Sequence, residues 1–312
     1  MRTLFLTPKN WTVSLTAAVF VLLSASASHA QIFVTNFGNN AIGEYNRDGT
    51  TVNAAFLPGL SGPTSIAVSG SNLFVVSGLG TIGEYTTSGA TINASLITDF
   101  NGVFGLAVSG SNLFVADYNS GSIGKYTTTG TLVNSRLLTE NNPYAIAASG
   151  SNLFIADNFT GMIGKYTTSG ATVDASLITG LSAPSGIVTD GTYLYVANKS
   201  TGTIGKYTTS GGLINASLVT GLSNPSSLAI DGAELFVVSQ SGTIGTIGVY
   251  NANTGTTLNA SLVTGLNYPQ NLSIAPGIVV IAVPEPSTWA FLLGGLGLAA
   301  SCLLSRIPKK LS

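Results

Sequence analysis

Apolar and polar residues alternate along most of this chain in short segments that Gly, Ser, Asn and Asp separate. Residues 152–191 illustrate the pattern, because the runs NLFIAD, MIGKYTT, TVDASLIT and PSGIVTDG follow one another there. An alternation with a period of two, broken by turn-forming residues, is typical of β-strands joined by tight turns. Helical periodicity is absent from residues 31–283, so the pattern predicts an all-β body.

The same strand pattern returns at a spacing of about 40 residues, which is the usual length of one four-stranded propeller blade. SGSNLF begins at Ser69, Ser109 and Ser149, and the variants DGTYLY and DGAELF begin at Asp190 and Asp231. The segment Ile-Gly-x-Tyr begins at Ile42, Ile82, Ile123, Ile163, Ile204 and Ile247. A parallel β-helix would need shorter coils. The repeat therefore predicts a β-propeller.

The phase of the repeat predicts how the ring closes. We name the four strands of a unit a (SIAVSG type), b (NLFVAD type), c (IGKY type) and d (ASLIT type). The body begins at Gln31 with a b strand, QIFVTN, and its last repeat ends with an a strand, residues 271–277. Six blades result if this last a strand joins the first b, c and d strands, which removes an exposed sheet edge. Residues 278–283 resemble another b strand, which either competes with QIFVTN or lies against an edge.

The segment PSGIVTDGTYLYVANKSTGTIGKY, residues 184–207, resembles the NHL repeat. The resemblance covers most of residues 31–277 and implies a six-bladed β-propeller. It says less about function, because proteins of this type include lyases, lactonases and binding scaffolds, and one fold serves many functions.

The N-terminus has the features of a Sec-type signal peptide, predicted as residues 1–30. Arg2 and Lys9 precede an apolar run at about residues 11–23, and SASASHA then supplies small residues before a cleavage site after Ala30. The alternative is a permanent N-terminal anchor, but the apolar run is short for a membrane span.

The C-terminus, residues 284–312, is predicted to be a sorting segment. Pro284 and Pro286 prevent a regular helix around Glu285, an uncharged apolar stretch covers residues 289–304, and Arg306 begins a basic tail. VPEPSTWAFLLGGLGLAA followed by Arg306 resembles the PEP-CTERM segment of exported proteins in Gram-negative bacteria that make exopolysaccharide. The resemblance implies an inner-membrane precursor, processing by an exosortase, and delivery to the cell surface or extracellular matrix. The alternative is a simple C-terminal anchor.

The composition of residues 31–283 excludes several kinds of site. The chain's one His is His29 and its one Cys is Cys302, so this body offers neither an imidazole base nor a thiol. It carries 11 acidic and 6 basic residues, a balance without the basic footprint that nucleic-acid binding requires. We therefore expect no catalytic residues, no metal ligands and no cofactor. The short side chains of Asp117 and Asp157 are expected to bond the turns that follow them. The alternative is a Ca²⁺ site at residues 117–122.

The turn sequences at one end of the strands are nearly the same in every repeat, and those at the other end differ from repeat to repeat. The a–b and c–d turns hardly vary, whereas the b–c and d–a turns differ from blade to blade. In a propeller the b–c and d–a turns share one face, which we call the variable face. It carries the aromatic residues Phe37, Phe104, Tyr118, Tyr144, Phe159 and Tyr268.

Exposed aromatic residues among Asn and Gly suit contacts with carbohydrate or protein. The sequence thus favours a non-enzymatic binding module whose partner is extracellular polysaccharide or a surface protein. The alternatives are a propeller hydrolase or lyase, with or without a metal, a purely structural matrix component, and loop variation without function.

Overall fold

The computed structural model describes residues 31–78 and 80–275, which form six four-stranded antiparallel sheets. Blade 1 contains β1 (Gln31–Asn36), β2 (Ala41–Asn46), β3 (Thr51–Leu57) and β24 (Pro269–Ala275). Blade 2 contains β4 (Ser65–Ser69), β5 (Asn72–Ser77), β6 (Thr81–Thr86) and β7 (Thr91–Ile97). Blade 3 contains β8 (Val103–Ser109), β9 (Asn112–Asp117), β10 (Ser122–Thr127) and β11 (Leu132–Thr139).

Blade 4 contains β12 (Pro143–Ser149), β13 (Asn152–Asp157), β14 (Met162–Thr167) and β15 (Thr172–Ile178). Blade 5 contains β16 (Pro184–Thr189), β17 (Tyr193–Asn198), β18 (Thr203–Thr208) and β19 (Leu213–Val219). Blade 6 contains β20 (Ser227–Asp231), β21 (Glu234–Ser241), β22 (Ile244–Asn251) and β23 (Thr257–Asn267). One short 3-10 turn, Phe37–Asn39, links β1 to β2. The predicted six-bladed propeller is confirmed.

The ring closes through the predicted strand exchange in blade 1. β24 pairs antiparallel with β1, with Gln31 opposite Ala275, so the C-terminal a strand completes the N-terminal b, c and d strands. Arg47 of blade 1 also pairs with Asp231 and Glu234 of blade 6, at 2.6 and 2.5 Å. The joint between the first and last blades is thus held by a shared sheet and by ion pairs at the surface.

Several expectations concern residues outside the described ranges. These are the signal peptide at 1–30, the competing strand at 278–283, and the sorting segment at 284–312 with its apolar helix. Within residues 31–78 and 80–275, no helix has the length and apolar character needed to cross a membrane.

The core consists of apolar clusters between neighbouring blades. The inner strands β24, β4, β8, β12, β16 and β20 contact one another in that order around the axis. Between blades 4 and 5, Ala147 of the inner strand lies opposite Phe154 of β13, and both pack against Ile187 and Val196 of the next blade. A small residue on the inner strand therefore makes room for a large aromatic ring between blades, which explains the repeated Ala of the a strands.

The repeated Ile-Gly-x-Tyr segment has a close-packing explanation. Residues two apart on a strand share one face, and the ring of Tyr166 folds back over Gly164. A Cβ atom at Gly164 would lie 2.6 Å from both Cε2 and the hydroxyl of Tyr166, closer than any normal contact. The equivalent glycines of the other blades meet their tyrosines in the same way: Gly43, Gly83, Gly124, Gly205 and Gly248. The motif is therefore structural.

These tyrosines predict alkaline unfolding. Burial raises the pKa of all six above the ordinary value of 10.0: Tyr45, Tyr85, Tyr126, Tyr166, Tyr207 and Tyr250. Burial is the largest cause of the raised pKa of Tyr166. The nearby carboxylate of Glu140, which accepts a hydrogen bond from the Tyr166 hydroxyl, raises that pKa further. A raised folded-state pKa means that the folded protein retains protons which the unfolded chain has lost. We therefore expect the free energy of unfolding to fall as the pH rises above about 10.

Urea unfolding followed at intervals from about pH 8 to about pH 12 measures this loss. Tyr166→Phe removes one of these groups, so its stability is expected to decline less steeply with pH than that of the wild type. Stability that stays level through this range, or tyrosinate absorbance appearing at the pKa of free tyrosine while the protein remains folded, contradicts the explanation.

Candidate binding site at the propeller axis

A cavity of about 240 Å³ lies on the axis, where the six inner strands surround it. Each inner strand follows a d–a turn, so its first residues lie at the variable face. One residue at or just before the start of each inner strand, at the same position in every repeat, lines this end of the cavity. We call this set the mouth ring, and it consists of Thr64, Phe104, Tyr144, Ser185, Ser226 and Gln270.

The mouth ring has an aromatic half and a polar half. Blades follow one another in sequence order around the axis, so blades three apart lie opposite each other. Phe104 of blade 3 is therefore across the axis from Ser226, which leads into blade 6. Tyr144 of blade 4 is across from Gln270 of blade 1. A ligand at the mouth meets aromatic rings on one side and hydrogen-bonding groups on the other.

The aromatic half is a packed cluster of three rings. Phe104 and Tyr144 stack with their centroids 5.0 Å apart and an interplanar angle of 10°. Tyr118, from the b–c turn of blade 3, meets them edge-on at 5.7 and 6.2 Å. Stacked and edge-to-face contacts are the favoured aromatic geometries, so the rings hold one another in place. Burial, with the neighbouring phenols of Tyr268 and Tyr118, raises the pKa of Tyr144, which is therefore a neutral hydrogen-bond donor at physiological pH.

The other three predicted aromatic residues lie in two further places. Phe37 and Tyr268 pack against each other across the closure of the ring, with centroids 5.8 Å apart. Phe159 projects from the b–c turn of blade 4 and is 81% exposed. The structure thus brings Phe104, Tyr118 and Tyr144 together, pairs Phe37 with Tyr268, and leaves Phe159 at the periphery.

The polar half contains a buried hydroxyl that the sequence analysis did not identify. Ser226 is 9% exposed, and its Oγ has no hydrogen-bond partner among the described residues. The hydroxyls at two equivalent positions are engaged, since Thr64 donates to the Val103 carbonyl at 2.9 Å and Ser185 donates to the Pro225 carbonyl at 2.6 Å. Aligning the six repeats position by position would have placed Ser226 in the mouth ring. It would not have shown that the Ser226 hydroxyl lacks a hydrogen-bond partner.

The carboxylates of Asp117 and Asp157 bond their own turns. Asp157 Oδ1 accepts hydrogen bonds from the amides of Phe159 and Thr160, both at 2.9 Å. Asp117 Oδ1 accepts from the amide of Ser120 at 3.4 Å. Within the part of the chain that the structure describes, no three His, Cys, Asp or Glu residues gather in a group able to hold a metal ion. The contacts support the turn-bonding interpretation of both aspartates.

Comparison with known families gives two matches. The family model of the virginiamycin B lyases matches residues 12–285. The chain belongs to the virginiamycin B lyase family. The model of the PEP-CTERM protein-sorting motif matches residues 282–310 of this family member, and this range includes the predicted Pro284, Glu285, Pro286 and Arg306. The predicted PEP-CTERM motif is thereby confirmed, and it marks export and sorting to the surface of a Gram-negative bacterium. A search of curated proteins found no match.

Solved structures share the fold of this virginiamycin B lyase family member at low sequence identity. A chain in the crystal structure of a nidogen/laminin complex is 16% identical, with a TM-score of 0.69 over 79% of this chain and 98% of that chain. A streptogramin B lyase structure is 21% identical, with a TM-score of 0.59 over 77% of this chain and 82% of that one. One of these structures is of a protein complex and the other is of a lyase, so the likeness establishes the propeller fold and does not identify the activity of this chain.

Proposed function

We propose that this exported propeller is a non-enzymatic binding module that uses its variable face at the cell surface or in the extracellular matrix. The PEP-CTERM segment implies processing by an exosortase. In this proposal the precursor is held briefly in the inner membrane, and the released body binds extracellular polysaccharide or a surface protein. The observation that carries the proposal is the cluster of Phe104, Tyr118 and Tyr144 at the mouth of the axial cavity.

The chemistry of the cavity favours binding over acid–base catalysis. Among the described residues that line it, Tyr144 is the one ionisable side chain. Its pKa is raised, chiefly by burial, so it holds its proton at neutral pH and is poorly suited to act as a base. General acid–base catalysis works best with a group whose pKa lies near the working pH. The neutral lining instead offers stacking surfaces and hydrogen bonds.

The alternative function is that of a propeller lyase or hydrolase, which membership of the virginiamycin B lyase family favours. Incubating the exported protein with virginiamycin B, with and without added divalent metal ions, tests it directly. Conversion of the substrate, detected by chromatography and lost on mutation of the mouth ring, would refute the non-enzymatic proposal.

Binding to the extracellular polysaccharide and surface fractions of the producing cells tests the leading proposal. Replacing Tyr118, Tyr144 and Phe159 together with Ala is expected to abolish binding with little change in stability. The aromatic cluster gives a more specific prediction. The double variant Phe104→Ala and Tyr144→Ala should bind at least about 10-fold more weakly than the wild type. Phe159→Ala alone is the peripheral control and is expected to have little effect.

A matched control on the opposite face replaces Thr168 and Ser169 of the c–d turn in blade 4 with Ala. Biolayer interferometry on immobilised fractions gives the affinities, and thermal unfolding confirms that each variant is folded. Binding that disappears with the Thr168 and Ser169 changes, while the mouth ring variants bind normally, would reverse the assignment of the binding face.

A further inference from the structure

We infer that the axial cavity binds a single neutral sugar unit at the end of a glycan chain. This inference rests on the proposed binding function and names the ligand class for the same site. It draws on two features of the cavity: its two chemically different halves, and its size and neutral lining.

The two halves of the mouth ring match the two kinds of surface on a sugar ring. A pyranose presents C–H groups on one face, and these pack against aromatic rings such as the stacked pair Phe104 and Tyr144. Its hydroxyls need groups that donate and accept hydrogen bonds. The side-chain amide of Gln270 provides both on the opposite side of the axis.

The lining selects a neutral ligand. Among the described residues that surround the cavity there is no Lys, Arg, Asp or Glu side chain. A uronic acid or a sulfated sugar would lose the hydration of its negative charge without gaining a cationic partner, which is strongly unfavourable. The same argument disfavours amino sugars in their protonated form.

The size and shape of the cavity select one sugar unit that enters end-on. Its volume of about 240 Å³ is smaller than the roughly 300–1,000 Å³ typical of pockets for drug-sized ligands. Six inner strands enclose the axis, so a polysaccharide cannot run across the cavity as it would along an open groove. Below the mouth the lining combines apolar residues such as Val68 and Ile274 with the polar residues Asn271 and Ser273. The sugar enters from the mouth, and the rest of its chain stays in solvent.

The test uses the exported protein purified from its own cells. The probes are the methyl glycosides of glucose, galactose and mannose, with methyl glucuronide as the charged counterpart. Saturation-transfer difference NMR is expected to detect at least one neutral glycoside and to detect the glucuronide much more weakly. Gln270→Ala should weaken neutral glycoside binding by about 10-fold, since the hydrogen bonds of its side-chain amide to the sugar are lost. Tyr144→Ala should abolish it.

Ser65→Ala is the control, because it removes a buried unpaired hydroxyl from outside the cavity and should leave sugar binding unchanged. If polysaccharide or surface protein binds and no methyl glycoside competes, or if Gln270→Ala and Tyr144→Ala have no effect on sugar binding, this inference is wrong while the proposed function survives. Equal binding of the glucuronide also overturns it. If neither glycosides nor the cell fractions bind, the inference and the proposed function both fail.

Discussion

A chain that ends at Asn267 is expected to remain unfolded, whereas one that ends at Ala275 is expected to fold. The eight residues in between contain β24, the inner strand of blade 1. Without it β1 loses a sheet neighbour, and Leu272 is removed from the cluster that also contains Ile32 and Val34. The ring would open at an exposed edge beside the axis. Circular dichroism and thermal unfolding of chains starting at Gln31 give the comparison.

A third chain, ending at residue 283, determines what the segment 278–283 contributes. If it competes with β1 for β24, this longer chain should be less stable than the one ending at Ala275. If it lies against an edge, the longer chain should be equally or more stable. A cooperative unfolding transition in the chain ending at Asn267 would show that closure by β24 is dispensable.

Replacing Pro284, Glu285 and Pro286 together with Ala is expected to leave unprocessed precursor in the inner membrane. We propose that the two prolines favour an extended backbone at this step, which a membrane enzyme would bind as it binds a strand. In the same proposal, Arg306 and the basic residues after it would stay on the cytoplasmic side. Cell fractionation and mass spectrometry should find the wild-type protein outside the cell without residues 289–312, and the variant with them.

The adjacent pair Ser287 and Thr288 gives a control for this experiment. Replacing both with Ala leaves the Pro-Glu-Pro step intact, so processing is expected to continue. Wild-type protein found outside the cell with its tail intact, or normal release of the triple variant, would disprove the assignment of the motif as the processing point.

The repeat made the closure of the ring predictable from the sequence. Each strand can be recognised by its position within the unit, so a chain that starts with a b strand and ends with an a strand has one regular way to complete six blades. The pairing of β24 with β1 follows from that phase alone. The strand bounds were also predictable, because Gly, Asn and Asp mark the turns on either side of them.

The grouping of the aromatic residues was not predictable in the same way. Phe104 and Tyr144 are 40 positions apart and meet because neighbouring inner strands begin side by side at the mouth. Phe37 and Tyr268 meet through the closure of the ring. Phe159 belongs to a b–c turn whose composition is similar to that of the turn with Tyr118, yet its ring is exposed to solvent. A hydrophobic pattern assigns a residue to a turn, but the path of the turn decides which rings touch.

The lack of a hydrogen-bond partner for the Ser226 hydroxyl was also not predictable from the sequence. Thr64 and Ser185 occupy the same position in their repeats and donate to carbonyl groups of the next blade. Whether a hydroxyl finds such an acceptor depends on ångström-scale differences between adjacent blades. The repeat leaves these differences undetermined, because its units are alike in pattern and unlike in detail.

The joint between β1 and β24 also has a consequence for the order of events during export. Thr35 and Asn271 bond each other although 236 residues separate them, and contacts between such distant residues form late in folding. In the proposed export through the Sec pathway, β1 would leave the membrane first and β24 last, just ahead of the tail. The ring would therefore close when only the tail is still in the membrane. An anchored tail would give the propeller time to finish folding before it is cut free, so that the cell releases closed rings rather than open ones.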